Sequence, residues 1–440
     1  MKLQYNLLTI IIGLCLVACN QKIDIDVTLE EPQTHFQQAM GNVLDVIKTV
    51  NPKKYEMLQE NIGAIQPHFY TSDILDKVYG ESSFTYQRKQ AANQEQSSVD
   101  TLLYIVNFDN NQGFAIMSAN EPLLGDMIFA IADTGSISLD DFYNTNNEYD
   151  GICAQNPSAT IGGIVNNYFD DFTNLKKNNE TTLPEFPMEE YIYKYGNWTT
   201  AGKIAPRIKM KIDQGMPYNK YCFTSNSQQA FAGCVAIAIV QMMSANKYPT
   251  SMGNITVNWD NIIAKYKTDN AQKDALAKVI AVIGKQCKMN YGVSSSSAYM
   301  TDARSCIASY NRYKNVALTT DVSLEIIEPM LNNLLPVVMS GTRIGENSQK
   351  HGHAWTIDGW LHQERTVTCY VGSKLVSTST QRRKLVHCVY GWGGLCDGYY
   401  NLKVFDLNKG PVERENEDKP YGLTTNKNYT MDYKLIKYSL

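Results

Sequence analysis

An α+β fold is predicted from three features of the sequence. Residues 36–50 place Phe36, Met40, Val43, Leu44 and Ile47 at helical spacing. Residues 101–119 set Leu102, Tyr104 and Val106 on one side of a strand, then a turn-forming Asp-Asn-Asn-Gln-Gly stretch, then a return strand, the pattern of a β-hairpin. Far downstream, the apolar run 235–243 reads as a helix buried on all sides, and the glycine-bounded segment 352–359 reads as a strand.

The chain has 440 residues, 43% hydrophobic and 19% charged, enough to bury a core and to form two or three domains. A formal net charge of −4 and the lack of any Lys/Arg block argue against a nucleic-acid partner.

Residues 1–18 have the form of a lipoprotein signal peptide. Lys2 supplies the positive start, 7–18 is an apolar run too short to anchor in a bilayer, and Leu16-Val17-Ala18-Cys19 has the form of a bacterial lipobox. The competing reading is an ordinary secretory signal with an unrelated cysteine. On the lipobox reading Cys19 is lipidated, and acyl chains rather than a spanning helix hold the chain to a membrane. Asn20-Gln21 after it favours the outer membrane or cell surface over the inner membrane. The polar, acidic stretch 19–35 is the expected tether.

Residues 36–173 are expected to form a small α+β domain, with the helix and hairpin above, a strand at 127–131 and a helix at 161–172. They hold no convincing catalytic cluster. Residues 174–204 are the expected linker, because 174–185 is polar and aperiodic and closes on Pro184. Residues 205–440 form the second expected domain. Of ten cysteines, Cys15 and Cys19 fall in the signal region, and no CxxC pair occurs, so no metal site and no cofactor is expected.

Four segments of the second domain carry candidate chemistry. Gly233-Cys234 opens the apolar helix, where the helix N-terminus favours thiolate, although a cysteine on such a helix is more often packing. Gly352-His353 opens the glycine-bounded strand and offers a base, and His351 lies on the same face, so alternation alone does not choose between them. Gly391-Trp392-Gly393-Gly394 reads as a rigid turn with an aromatic wall. Gln214, in a Gly- and Pro-containing turn ahead of Cys234, offers an amide donor to a developing oxyanion.

Taken in order, these segments resemble the streptopain family of papain-like cysteine peptidases. The matching stretches are 214–219 (Gln-Gly-Met-Pro-Tyr-Asn), 233–238 (Gly-Cys-Val-Ala-Ile-Ala), Tyr248-Pro249, 257–262, 289–295, 352–359 (Gly-His-Ala-Trp-Thr-Ile-Asp-Gly) and 391–399. The resemblance covers roughly 205–405. It implies a two-part catalytic domain, with a helical part bearing Cys234 and an antiparallel β-sheet part bearing His353, and the site between them. It selects His353 over His351 as base to the nucleophile Cys234, makes Gln214 the oxyanion donor, and makes Trp392 the wall beside the imidazole. Gly233 and Asp358 are supporting residues, Asp358 as a polar neighbour of His353. The 294–297 loop either lines the substrate groove or caps a helix.

The resemblance further implies a zymogen acting on protein or peptide substrates. The segment 113–119 resembles a strand of the family's pro-domain, so 36–173 would be an intramolecular inhibitor and 174–204 the activation region. Relatives carry Asn-Trp ahead of Gly-Trp-Gly-Gly, whereas this chain has Val389-Tyr390. A valine offers an imidazole no hydrogen bond, so a backbone carbonyl or another side chain must fix His353. The stretch 361–384 is expected to be an extended β-hairpin. The rival reading is a non-catalytic surface-binding lipoprotein on a degenerate peptidase scaffold.

Overall fold

The computed structural model of the chain describes residues 35–60, 65–71, 101–108, 112–118, 128–137, 161, 191–344, 350–402 and 431–440. The expected signal peptide and nearly all of the tether lie outside these residues. So do the centre of the hairpin turn and, beyond Ile161, the helix expected at 161–172.

The N-terminal part opens with α1 (His35–Val50), whose predicted apolar stripe of Phe36, Met40, Val43, Leu44 and Ile47 is buried. A second helix, α2 (Pro52–Glu60), follows directly. Its signal was present but unread: Asn51 accepts the Lys54 N–H at 3.1 Å, and proline suits the first helical position. Strands β1 (Ile65–Thr71), β2 (Thr101–Phe108), β3 (Phe114–Ser118) and β4 (Ile128–Ala132) then form an antiparallel run. The expected hairpin is β2–β3, closed by the Phe108 N–H donating to the Gly113 carbonyl at 2.8 Å.

This sheet is covered on both sides. Tyr104, Val106, Ala115 and Met117 face α1, while Ile105, Phe114, Ile116 and Phe129 face the core that also holds the Cys234 helix. The alternation visible in β2 is thus an alternation between two buried faces.

The rest of the chain supplies β5 (Tyr191–Tyr195), β6 (Thr199–Ile204), α3 (Cys234–Asn246), a small ribbon of β7 (Ser251–Met252) and β8 (Ile255–Thr256), α4 (Trp259–Lys265) and α5 (Asn270–Gln286). Then come α6 (Met300–Ser305), β9 (Lys314–Thr319), α7 (Leu324–Asn332), β10 (Val337–Ile344), β11 (Lys350–Val371), β12 (Lys374–Val389), β13 (Gly398–Asn401) and β14 (Met431–Ser439). Among the described residues one sheet runs β1-β2-β3-β4-β13-β12-β11-β10-β14-β9, with β5 and β6 on β11. The fold is α+β, with helices on an antiparallel sheet.

Two boundaries differ from expectation. The N-terminal sheet is joined edge to edge to the second part, through β4 paired with β13 at Gly398↔Ala132, Tyr399↔Ile131 and Tyr400↔Ala130. The expected linker is also structured over 191–204: β6 and β5 extend along β11 where β10 ends. The long β11–β12 hairpin predicted at 361–384 offers β11 residues beyond the end of β10 as the edge on which they pair.

The same hairpin carries a platform for α1. Trp198 Nε1 donates to Asn42 Oδ1 at 2.7 Å, Gln363 Nε2 donates to Asp45 Oδ2 at 3.0 Å, and the Arg383 guanidinium donates to that same oxygen at 2.8 Å. The guanidinium groups of Arg365 and Arg383 lie over the Trp198 ring, 4.6 and 4.1 Å from its centroid. No helix among the described residues is long and apolar enough to cross a membrane.

Candidate active site

Cys234 is the first residue of α3, and every residue from Cys234 to Ser244 is buried. Such a helix can lie only in the centre of the core, so its N-terminus is fixed by packing on all sides. Gly233 precedes it with φ +87°, a region that L side chains rarely adopt. A Cβ there would also lie 2.7 Å from the Met289 sulfur. Beneath this corner, Ser296 Oγ donates to the Phe231 carbonyl at 2.7 Å and accepts the Gly292 N–H at 3.0 Å. The 290–297 loop therefore buttresses the approach to the cysteine through Ser296.

Gln214 is buried, and its backbone carbonyl accepts the Ala232 N–H at 2.9 Å, so it runs beside the chain two residues before Cys234. His353 sits on β11, one residue before Ala354, whose backbone N–H faces the Cys234 sulfur. Thr356 Oγ1 donates to the Ala238 carbonyl at 3.0 Å and locks the strand onto α3.

What fixes His353 is a backbone group. Its Nε2 lies 2.8 Å from the Tyr390 carbonyl oxygen. A carbonyl only accepts, so Nε2 carries the hydrogen and the Nδ1 lone pair is left available to take a proton. Among the described residues Nδ1 has no hydrogen-bond partner. Trp392 stacks on the imidazole with ring centroids 4.3 Å apart at 21°, and Tyr390 stacks on Trp392 at 5.0 Å and 8°. The turn bearing them depends on Gly391, at φ +74°, where a Cβ would fall 2.6 Å from Ile237 Cγ2 of α3. Val389 is buried in the core, and the hydrogen-bonding role falls to the carbonyl of the next residue.

Asp358 is not a neighbour of His353, which corrects the supporting role expected for it. Asp358 is the unpaired residue of a bulge between Ile357 and Gly359 in the β11–β12 ladder, and its carboxylate is turned to other partners. Asp358 Oδ2 accepts the Arg207 and Ile208 N–H groups at 2.8 and 2.7 Å, and Oδ1 lies 2.6 Å from His387 Nδ1. Asp133, from the N-terminal part, lies 3.7 Å from the other ring nitrogen of His387. His387 is thus a buried cation site at the seam between the two parts, and sequence reading passed over it.

Burial sets the charge state of the pair. It pushes the Cys234 thiol up, and the N–H groups of Ala354, Val235 and Cys234 itself offset this in part. Burial also lowers His353 to about 4, against a smaller opposite pull from the Tyr390 carbonyl. At neutral pH the closed site therefore holds thiol and neutral imidazole.

The two buried histidines give opposite pH dependences. His353 binds its proton near 6.5 when unfolded and near 4 when folded, so its contribution to stability is complete above pH 6.5 and is lost as pH falls toward 4. For His387, burial lowers the pKa but Asp358 and Asp133 outweigh it and carry it up to about 9. Its contribution is complete below pH 6.5 and lost as pH rises through 9. Each window spans roughly 3 kcal/mol. Urea midpoints measured from pH 4 to 9.5 should form a dome, and His387→Gln should flatten only the alkaline side.

A profile of the Peptidase C10 family matches residues 212–400. Streptopain from Streptococcus pyogenes is 23% identical over 380 residues, covering 75% of this chain and 85% of that protein. Among solved structures, a fragment of prointerpain A from Prevotella intermedia covers 78% of this chain and 96% of its own length at 20% identity and TM-score 0.49. The active wild-type interpain A cysteine protease of the same organism covers 54% and 95% at 22% identity and TM-score 0.39. Gln214, Cys234, His353 and Trp392 all fall inside the stretch that matches the Peptidase C10 family, and over 75% of its length the chain is similar to streptopain.

Proposed function

We propose that the chain is the lipoprotein zymogen of an exported cysteine endopeptidase. The observation that carries this reading is the state of His353. A carbonyl on Nε2 presents the Nδ1 lone pair as a base, and the next residue along the strand, Ala354, has its N–H at the Cys234 sulfur. In the reaction the Cys234 proton passes to Nδ1 and the sulfur attacks a peptide carbonyl carbon. The Gln214 side-chain amide and the Cys234 N–H hold the oxyanion. The imidazolium then protonates the leaving amine, and water, giving a proton back to Nδ1, cleaves the thioester and frees the acid. Trp392 shields the imidazole throughout.

The N-terminal part acts as the pro-domain. Three features support this role: the β4–β13 junction, the seating of α1 on the hairpin platform, and the core that Ile105, Phe114 and Ile116 share with the Cys234 helix. Strands β5 and β6 belong to the sheet of the catalytic part, so activation cleavage is assigned to 174–190 within the broader activation region. Cys19 carries the lipid, and the chain is held at the outer membrane or cell surface.

Labelling the processed protein with an epoxide inactivator of papain-like peptidases tests the catalytic reading. One adduct mapped to Cys234, with loss of casein hydrolysis, is expected; a protein that neither reacts nor hydrolyses casein contradicts it. Metabolic labelling with a fatty acid tests the anchor, and Cys19→Ala should abolish incorporation.

A further inference from the structure

We infer that Asp397 is a positioning residue for His353, acting through the Tyr390 main chain with Lys211 as its counter-ion. This rests on the peptidase reading for its kinetic consequence, and on geometry alone for its existence.

Asp397 is fully buried and spends both oxygens on this task. Oδ1 accepts the Tyr390 N–H at 2.9 Å, and Oδ2 accepts from Lys211 Nζ at 2.6 Å. Tyr390 in turn offers its carbonyl to His353 Nε2 at 2.8 Å. The residue that fixes the imidazole is therefore gripped at its own N–H by a carboxylate, and the carboxylate is aimed by a lysine. A buried carboxylate without a cation is costly, so Lys211 keeps Asp397 ionised and able to accept.

The lysine is itself fixed. Its backbone N–H donates to the Tyr266 hydroxyl at 2.9 Å, and the next residue, Ile212, accepts the Gly393 N–H at 2.9 Å. Residues 211–214 thus hold the Tyr390–Trp392 turn at two points and continue directly into Gln214. One short segment sets the imidazole holder and the oxyanion donor in a single frame. Side chains alone do this work in sites where an Asn meets the imidazole; here the holder is a peptide group, which is only as well placed as the turn that carries it.

Removing the Asp397 carboxylate leaves the Tyr390 N–H and the Lys211 ammonium without their acceptor. The turn is then free to rotate, and the imidazole loses its fixed tautomer. A misplacement of about 1 Å costs on the order of 100-fold in turnover. The experiment compares wild type, Asp397→Ala, Asp397→Asn and Lys211→Met after activation, reading kcat and KM on a peptide substrate, the pH profile of Cys234 alkylation, and imidazole nitrogen-15 spectra.

The expected result is a kcat about 100-fold lower in Asp397→Ala with KM within about threefold, a displaced alkylation profile, and loss of the Nε2–H signature. Asp397→Asn keeps an acceptor for the Tyr390 N–H and should recover most of the rate. If Asp397→Ala does not fold, Lys211→Met should show a smaller loss in the same direction. An active wild type whose variants keep its kcat, alkylation profile and tautomer overturns the assignment. An inactive wild type overturns the peptidase reading instead, and the nitrogen-15 spectra of the variants still decide this one.

Discussion

Replacing His353 with alanine is expected to lower peptide hydrolysis by about 10,000-fold or more, the scale seen when the base of a nucleophile–base pair is removed. The reason is specific to this site. Burial holds the Cys234 thiol above its ordinary pKa, and the three N–H groups at the helix start offset that only in part. Without Nδ1 to take the proton, almost no thiolate forms near neutral pH. Alkylation of Cys234 should slow along with hydrolysis, and Trp392 loses the ring it stacks on. Steady-state rates and iodoacetamide reactivity of the activated protein check this together. Unchanged rates in both assays would remove His353 from the chemistry.

The largest structural effect is expected at Gly391. A valine there must adopt φ +74°, and its Cβ would sit 2.6 Å from Ile237 Cγ2. The left-handed backbone costs roughly 1–2 kcal/mol and the overlap about 1–3 kcal/mol more. Ile237 is one turn beyond Cys234, so the clash pushes directly between the Cys234 helix and the turn that supplies the Tyr390 carbonyl. Gly391→Val should lose about 3 kcal/mol in urea unfolding and lose turnover beyond what its unfolded fraction explains. A variant with native stability and native kcat would show that the turn is not pressed against α3 as described.

The roles of Cys234 and His353 were not legible from their own surroundings; the ordered set of segments from Gln214 to Gly394 raised them. The elements that bear them were legible, because Cys234 heads a run so uniformly apolar that only a buried helix accommodates it, and His353 lies near the start of a strand whose sequence is bounded by glycines. The helix at α1 and the β2–β3 hairpin were legible for the same reason, a period that survives burial. The holder of His353 was not legible in this way. A backbone carbonyl has no residue type, so Val389-Tyr390 reads as a missing asparagine until the Tyr390 oxygen is seen against Nε2.

The misplacement of Asp358 has a different origin. Proximity in sequence to His353 suggested a partnership that the structure does not contain, and the carboxylate serves Arg207, Ile208 and His387 instead. The junction of the two parts was hidden because edge pairing is made by main chain, and β4 carries no mark of the strand it will meet. The linker was misjudged over 191–204 because β5 and β6 are ordered by the exposed edge of β11, a tertiary partner far along the chain.

The central claim is that Cys234 acts as a nucleophile on peptide bonds, first of all on the chain's own. N-terminal sequencing of the wild-type protein after incubation, beside Cys234→Ala treated identically, tests it most directly. The account predicts a new N-terminus within 174–190 for the wild type and an unprocessed Cys234→Ala chain. A Cys234→Ala chain that matures at the wild-type rate and to the same N-terminus would contradict it.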